Sequence, residues 1–256
     1  MLRLVWLGHS TVVIDIEAAR LVTDPLLRPH AGVLRRHGQR PFSSAWTGTD
    51  AVLLSHLHHD HAELSSLRSL GDVPVLTGPD NAAWLRRRGL RGVGIGGDWV
   101  DVLSGSVQVC LVTAVHKHRP MPHRPNGAYG HLIRNAQWSI WFAGDTSLYD
   151  DMAAIPELVG RPHIDVALVP VGGWGPRLSE GHMRPEQAAA ACAMVRARWA
   201  LPVHWGTLHP PLFDRFDLAW MDRPAHRFHD ALAELAPECQ GIRLRPGEAS
   251  NVPPSA

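Results

Sequence analysis

Several short apolar runs in this chain end in a histidine or an aspartate, and that pattern more than any other limits what the chain can fold into. Ala51-Val52-Leu53-Leu54 leads into Ser55-His56-Leu57-His58-His59-Asp60-His61. The run 106–115 (SVQVCLVTAV) leads into His116, 138–143 (WSIWFA) into Gly144-Asp145-Thr146, and 201–203 into His204. Short apolar runs of this kind suit strands buried on both faces. After the histidine cluster, Leu64, Leu67 and Leu70 recur at helical spacing, so the cluster sits on a strand-to-helix turn.

The rest of the chain is consistent with a mixed α/β domain. Residues 2–7, 11–16 and 20–23 read as strands of an antiparallel meander, closed by Asp24-Pro25 because proline cannot donate to a ladder. Residues 26–50 lose periodicity and are rich in Arg, Gly and Pro, which reads as a long functional loop. A short helix is expected over 81–88, a buried strand over 164–170, an alanine-rich helix over 185–199 with Pro185 at its start, and an amphipathic helix over 224–235. No linker or fixed-period repeat divides the chain, so one domain over 1–248 is expected. The polar, proline-rich end, 249–256, reads as a disordered tail.

Composition narrows the function classes. With 25 basic and 24 acidic residues the net charge is +1, which gives no field that would recruit nucleic acid or an anionic membrane. The three cysteines are scattered and form no CxxC pair, so neither a disulfide framework nor a thiolate zinc site is indicated, and a reducing cytoplasm fits. The N-terminus has no signal-like apolar segment, and no apolar stretch reaches the ~20 residues of a membrane span. The 17 histidines stand out, because imidazole is the commonest metal ligand.

On a turn, alternate residues can face one side. His56 and His58 can therefore share one ion while Asp60 and His61 face a second. The plainer alternative makes Asp60 an N-cap, with Glu63 completing a capping box, but a cap needs no histidines. His116, Asp145 and His204, each at a strand end, are the candidates to complete the two sites, and a carboxylate such as Asp145 can bridge two cations.

These residues, with WLGHST at 6–11, TDP at 23–25, FAGDT at 142–146, DVALVPVGGWGPR at 165–177, HMRPEQA at 182–188 and VHWGT at 203–207, resemble the metallo-β-lactamase superfamily. The finer likeness is to the branch holding N-acylphosphatidylethanolamine-hydrolysing phospholipase D and ascorbate-6-phosphate lactonase. The resemblance implies an α/β fold of the αββα four-layer sandwich type with two divalent metal ions on one edge. One metal would take His56, His58, His116 and Asp145, and the other Asp60, His61, Asp145 and His204. Zn2+ is the first choice for such nitrogen-rich sets, with Mn2+, Fe2+ and Ni2+ as alternatives.

Two cations sharing a water lower its pKa toward ~7 and supply hydroxide to a phosphorus or carbonyl carbon. Asp60 would orient or deprotonate that water, and His182 would donate a proton or a hydrogen bond to the substrate. Asp24 is expected to orient a ligand imidazole. Arg35, Arg36 and Arg40 are weaker candidates for holding a substrate anion, with solvated loop arginines as the alternative. His9 reads as a core histidine, or as support for a ligand. His118, His123 and His131 could exchange roles with His116, which is preferred because it comes first after its strand.

The sequence thus reads as a cytoplasmic dinuclear hydrolase of a phosphodiester or a lactone, with a small anionic substrate and an open oligomeric state. The alternatives are an iron-dependent oxidoreductase on the same fold and a metal- or nucleic-acid-binding scaffold with little turnover. The arginine- and proline-rich loops, in place of a lipid-sized apolar surface, argue against a membrane lipid as substrate.

Overall fold

The computed structural model describes residues 1–116, 124, 125, 127–215 and 217–254. The meander expected at the N-terminus forms as Leu2–Gly8, Thr11–Ile16 and Ala19–Thr23, paired antiparallel in sequence. Ala51–Leu53, Val75–Thr77 and Gly92–Gly94 then add in parallel beside the third strand. A second sheet repeats the plan. Val100–Val102, Val107–Thr113, Tyr129–Arg134 and Ser139–Phe142 pair antiparallel, and Val166–Pro170, Trp199–Val203 and Gln240–Gly241 extend it in parallel. Both sheets have seven strands, the first being completed by Ala249–Val252 beside Leu2–Gly8.

Period-two alternation of strand side chains sorts the apolar residues into layers. Leu4, Trp6, Ile14 and Leu53 from one sheet meet Val109, Ile140, Phe142, Val166 and Leu168 from the other in the central core. The opposite faces are covered by helices. Val52, Leu54 and Val75 pack on Leu67, Trp84 and Leu85 of the helices Leu64–Ser69 and Pro79–Arg86. Trp141, Ala167 and Val169 pack on Ala188, Ala191, Phe228 and Leu232 of Pro185–Met194 and Arg223–Leu235. Helix, sheet, sheet and helix therefore stack in the four-layer order that the family resemblance implied.

Three expectations need correction, and the alternative reading of Asp60 is set aside. Residues 249–252, read as part of a frayed tail, form a strand, because Leu2 to Val5 offer their open edge to it in register. The helix expected over 185–199 stops at Met194. Arg196 takes a left-handed backbone (φ 49°) that ends the helical path, and Trp199 begins a strand held by Val166–Pro170. Asp60 is not a helix cap, since Glu63 accepts the amides of Ser65 and Ser66 itself. The 26–50 segment contains the short strands His30–Ala31 and Leu34–Arg36, and the second pairs with Leu208–His209 into a three-stranded sheet.

Candidate metal centre

In both sheets the parallel strands deliver their C-terminal ends to the same edge of the sandwich. Asp24 follows Ala19–Thr23, the histidine turn follows Ala51–Leu53, Asp145 follows Ser139–Phe142 and His204 follows Trp199–Val203. His116 arrives from the antiparallel strand Val107–Thr113. Turning these ends inward requires unusual backbone. Gly144 has φ 63°, and a Cβ there would lie 2.8 Å from both the Ser55 Cβ and the Tyr129 carbonyl oxygen. Only glycine lets the Asp145 loop settle onto the Ser55-His56 turn.

The donor atoms fall into overlapping groups. Those of His56, His58 and His116 lie within 4.8 Å of one another, as do those of His9, Asp60, His61 and His204, and those of His116, Asp145 and His182. Asp145 stands between the first two groups. Its Oδ2 is 3.1 Å from His61 Nε2, 3.2 Å from His204 Nε2 and 3.9 Å from His56 Nε2. The residues that the sequence assigned to two metals are therefore brought together.

The hydrogen bonds settle which ring nitrogen of each histidine faces the centre. Asp24 is fully buried and accepts from the Ser55 amide at 2.8 Å, the Ser55 hydroxyl at 2.6 Å and His61 Nδ1 at 2.6 Å. Because the Ser55 hydroxyl spends its proton on Asp24, it accepts from His56 Nδ1, 2.9 Å away. His204 Nδ1 donates to the Gly172 carbonyl and His116 Nδ1 to the Gly181 carbonyl, each at 2.8 Å. The Nε2 atoms of these four rings are thereby turned toward the centre, that of His116 lying 3.3 Å from His58 Nδ1. Those of His56, His61 and His204, together with Asp145 Oδ1, are buried without any hydrogen-bond partner. Orphaned buried acceptors are rare, and imidazoles anchored through one nitrogen with the other presented to a shared space are the arrangement of metal ligands. The residues present fit the binding of divalent metal.

Electrostatics differ between the two groups. Burial pushes the imidazoles of His56, His58 and His116 down, His58 to about 4. In His61 and His204 burial is outweighed by the Asp145 and Asp60 carboxylates, so that His61 is held well up and His204 rises to about 9. Conversely, His61 and His204 outweigh burial in Asp60 and Asp145 and hold both well below the usual carboxylate range.

The remaining sequence candidates separate cleanly. His182 belongs to the centre. Its Nε2 is 3.2 Å from Asp145 Oδ2, its Nδ1 is 3.1 Å from Ser179 Oγ, and its side chain is 12% exposed at the opening. Arg36 does not reach the donors. It is buried, and its guanidinium donates to the carbonyls of Leu7, Leu26 and Arg28. Arg35 lies exposed in Leu34–Arg36, and Arg40 lines a separate groove with Phe42 and Trp46. His131 is excluded from the centre, since it is buried within Tyr129–Arg134 with Nε2 3.2 Å from the Leu76 carbonyl. His118 and His123 lie outside the described residues. What the sequence reading underweighted is His9, whose Nε2 is 3.1 Å from Asp60 Oδ2. Its signal was the shared pattern, because His9 also follows an apolar strand.

A family model described as a beta-lactamase superfamily domain matches residues 19–205. The chain belongs to the metallo-β-lactamase superfamily. Within it, the chain is similar to a UPF0173 metal-dependent hydrolase of Nitratidesulfovibrio vulgaris, 28% identical over 96% of this chain and 94% of the relative. A UPF0173 metal-dependent hydrolase of Rhizobium leguminosarum bv. trifolii is 31% identical over 80% of this chain and 86% of the relative. Among solved structures, Igni18, a metallo hydrolase from Ignicoccus hospitalis, matches with a TM-score of 0.73 over 97% of each chain at 22% identity, a likeness of fold. The superfamily match covers the histidine turn, His116, Asp145, His182 and His204, and ends just before Thr207, which braces His9.

Proposed function

We propose that this superfamily member is a metal-dependent hydrolase that holds two divalent cations, zinc foremost, and cleaves a phosphodiester or a lactone or other ester of a small anionic substrate. The observation that carries the reading is the convergence of His56, His61 and His204 Nε2 and Asp145 Oδ1, buried and without hydrogen-bond partners. His56, His58 and His116 would hold one cation, Asp60, His61 and His204 the other, and Asp145 would reach both. Bound there, divalent cations activate water at neutral pH and stabilise negative charge in the transition state.

The chain's own side chains supply the remaining steps. Asp60, acceptor-only and held ionised beside His61 and His204, orients the attacking water. His182, partly exposed and braced by Ser179 at Nδ1, presents Nε2 to the substrate and protonates the departing oxygen. Substrate enters from the side of His58, His116 and His182, which are partly exposed, whereas His9, His61 and His204 close the floor. With Arg36 engaged by main-chain carbonyls, recognition of the anion rests on the cations and His182. No helix among the described residues is long and apolar enough to cross a membrane.

The experiment is to load the protein with Zn2+ or Mn2+ and assay bis-p-nitrophenyl phosphate beside a lactone panel. Turnover of one class that disappears on chelation supports the reading. Two bound equivalents with turnover of neither class would contradict it.

A further inference from the structure

His9 occupies the tip of the first hairpin, where the backbone is left-handed at both Gly8 (φ 100°) and His9 (φ 52°). Glycine or asparagine takes such a tip with little strain, whereas histidine carries a cost. The chain secures the strained residue on every side. Its amide donates to Thr207 Oγ1 at 2.6 Å, and its carbonyl accepts from the His204 amide and from Trp6 Nε1, each at 2.9 Å. The ring is wholly buried, with its centroid 4.2 Å from that of His204, and Nε2 is 3.1 Å from Asp60 Oδ2. Nδ1 is buried without a partner.

The chemistry of the contact fixes the tautomer. A carboxylate can only accept, so the proton of the neutral ring is on Nε2, donated to Asp60, and Nδ1 is bare. A ring whose Nε2 carries that proton has no lone pair to give a cation from the same atom. Asp60 Oδ2 retains a second lone pair, 3.7 Å from both His61 Nε2 and His204 Nε2.

We propose that His9 is a positioning residue rather than a ligand: its Nε2 proton fixes the Asp60 carboxylate toward His61 and His204, and its main chain fixes His204 by the same turn. One strained residue thereby sets two of the inner donors from outside the histidine turn. Strain held in place by this many contacts is the usual mark of a functional constraint. The inference rests on the two-cation reading and deepens it, since it makes the inner site alone dependent on the first hairpin.

The test separates orientation from bulk packing. His9→Asn tolerates the left-handed backbone but is too short to reach Asp60, and His9→Gln restores an N–H at about the original reach. Each full-length protein is titrated with Zn2+ against a chelating competitor, and its metal-free melting temperature is recorded. His9→Asn is expected to weaken one of the two equivalents by about 10–100-fold, the range for partners behind metal ligands. The other equivalent and the metal-free melt should be unchanged, and His9→Gln should recover part of the loss.

The proposal is overturned if both equivalents bind as in the wild type, or if both weaken together with a lower metal-free melt. Independently of any variant, the imidazole nitrogen NMR of the zinc-loaded wild type should show His9 protonated at Nε2; coordination at that atom would overturn the proposal. A wild type that binds fewer than two equivalents removes the reading beneath it, and the two failures are told apart by the wild-type titration alone.

Discussion

The two donor groups meet at Asp145 and differ in almost everything else. The outer group, His56, His58 and His116, is all imidazole, and two of its members are partly exposed. The inner group, Asp60, His61 and His204, is buried and backed by Asp24 at 2.6 Å from His61 and by His9 at 3.1 Å from Asp60. Burial chiefly governs the outer imidazoles and leaves them uncharged, with lone pairs available. On the inner side the Asp145 and Asp60 carboxylates outweigh burial and shift His61 and His204 upward. Buried carboxylates, then, set the direction in which a buried histidine pocket is shifted.

The sharpest way to break this comparison is to remove what the groups share. Asp145→Asn should disable both sites and lower hydrolysis by more than the ~100-fold that partners behind ligands cost. Retention of both metals and full activity would show that Asp145 bridges nothing. His58→Ala is expected to cost the outer equivalent while leaving the inner one, and metal analysis after dialysis would show one equivalent in place of two. Asp24→Asn reaches both groups through hydrogen bonds, directly to His61 and through Ser55 to His56. It should weaken both equivalents by about 10–100-fold in a chelator titration. Selective loss of one would mean that the Ser55 relay is inert.

The smallest effect concerns a histidine that has no carboxylate partner. His131 is buried against the Leu76 carbonyl, and burial lowers its pKa from 6.5 to about 4. The unfolded chain therefore binds this proton at a higher pH than the folded one. Its contribution to stability is complete above 6.5 and is lost as pH falls toward about 4. His131→Gln should flatten the fall in metal-free stability across that window, as read by urea denaturation. Parallel profiles would show that the carboxylate-free histidine does not govern acid sensitivity.

Most of the centre was legible because its chemistry is written at strand ends. His56, His58, Asp60 and His61 are contiguous, and Asp145 and His204 each follow an apolar run that the sheet then buries. His9 was harder to read, because a lone histidine in a hairpin turn carries no spacing signal; its partner Asp60 is 51 residues away. Arg36 misled for the converse reason. Its loop looks solvated, yet folding carries it under the chain to three carbonyls that no sequence pattern marks. Among the elements, Ala249–Val252 was missed because three small or polar residues precede Val252 and gain strand character only from the edge of Leu2–Gly8. Helix propensity carried the Pro185 helix too far, since the pairing that claims Trp199–Val203 is long-range.

The central claim is that two cations sit on either side of Asp145. Anomalous diffraction from crystals grown with Zn2+ tests it most directly. The account predicts two zinc peaks, one among His56, His58 and His116 and one among Asp60, His61 and His204, both in contact with Asp145. A single peak, or zinc found only away from these donors, would contradict it.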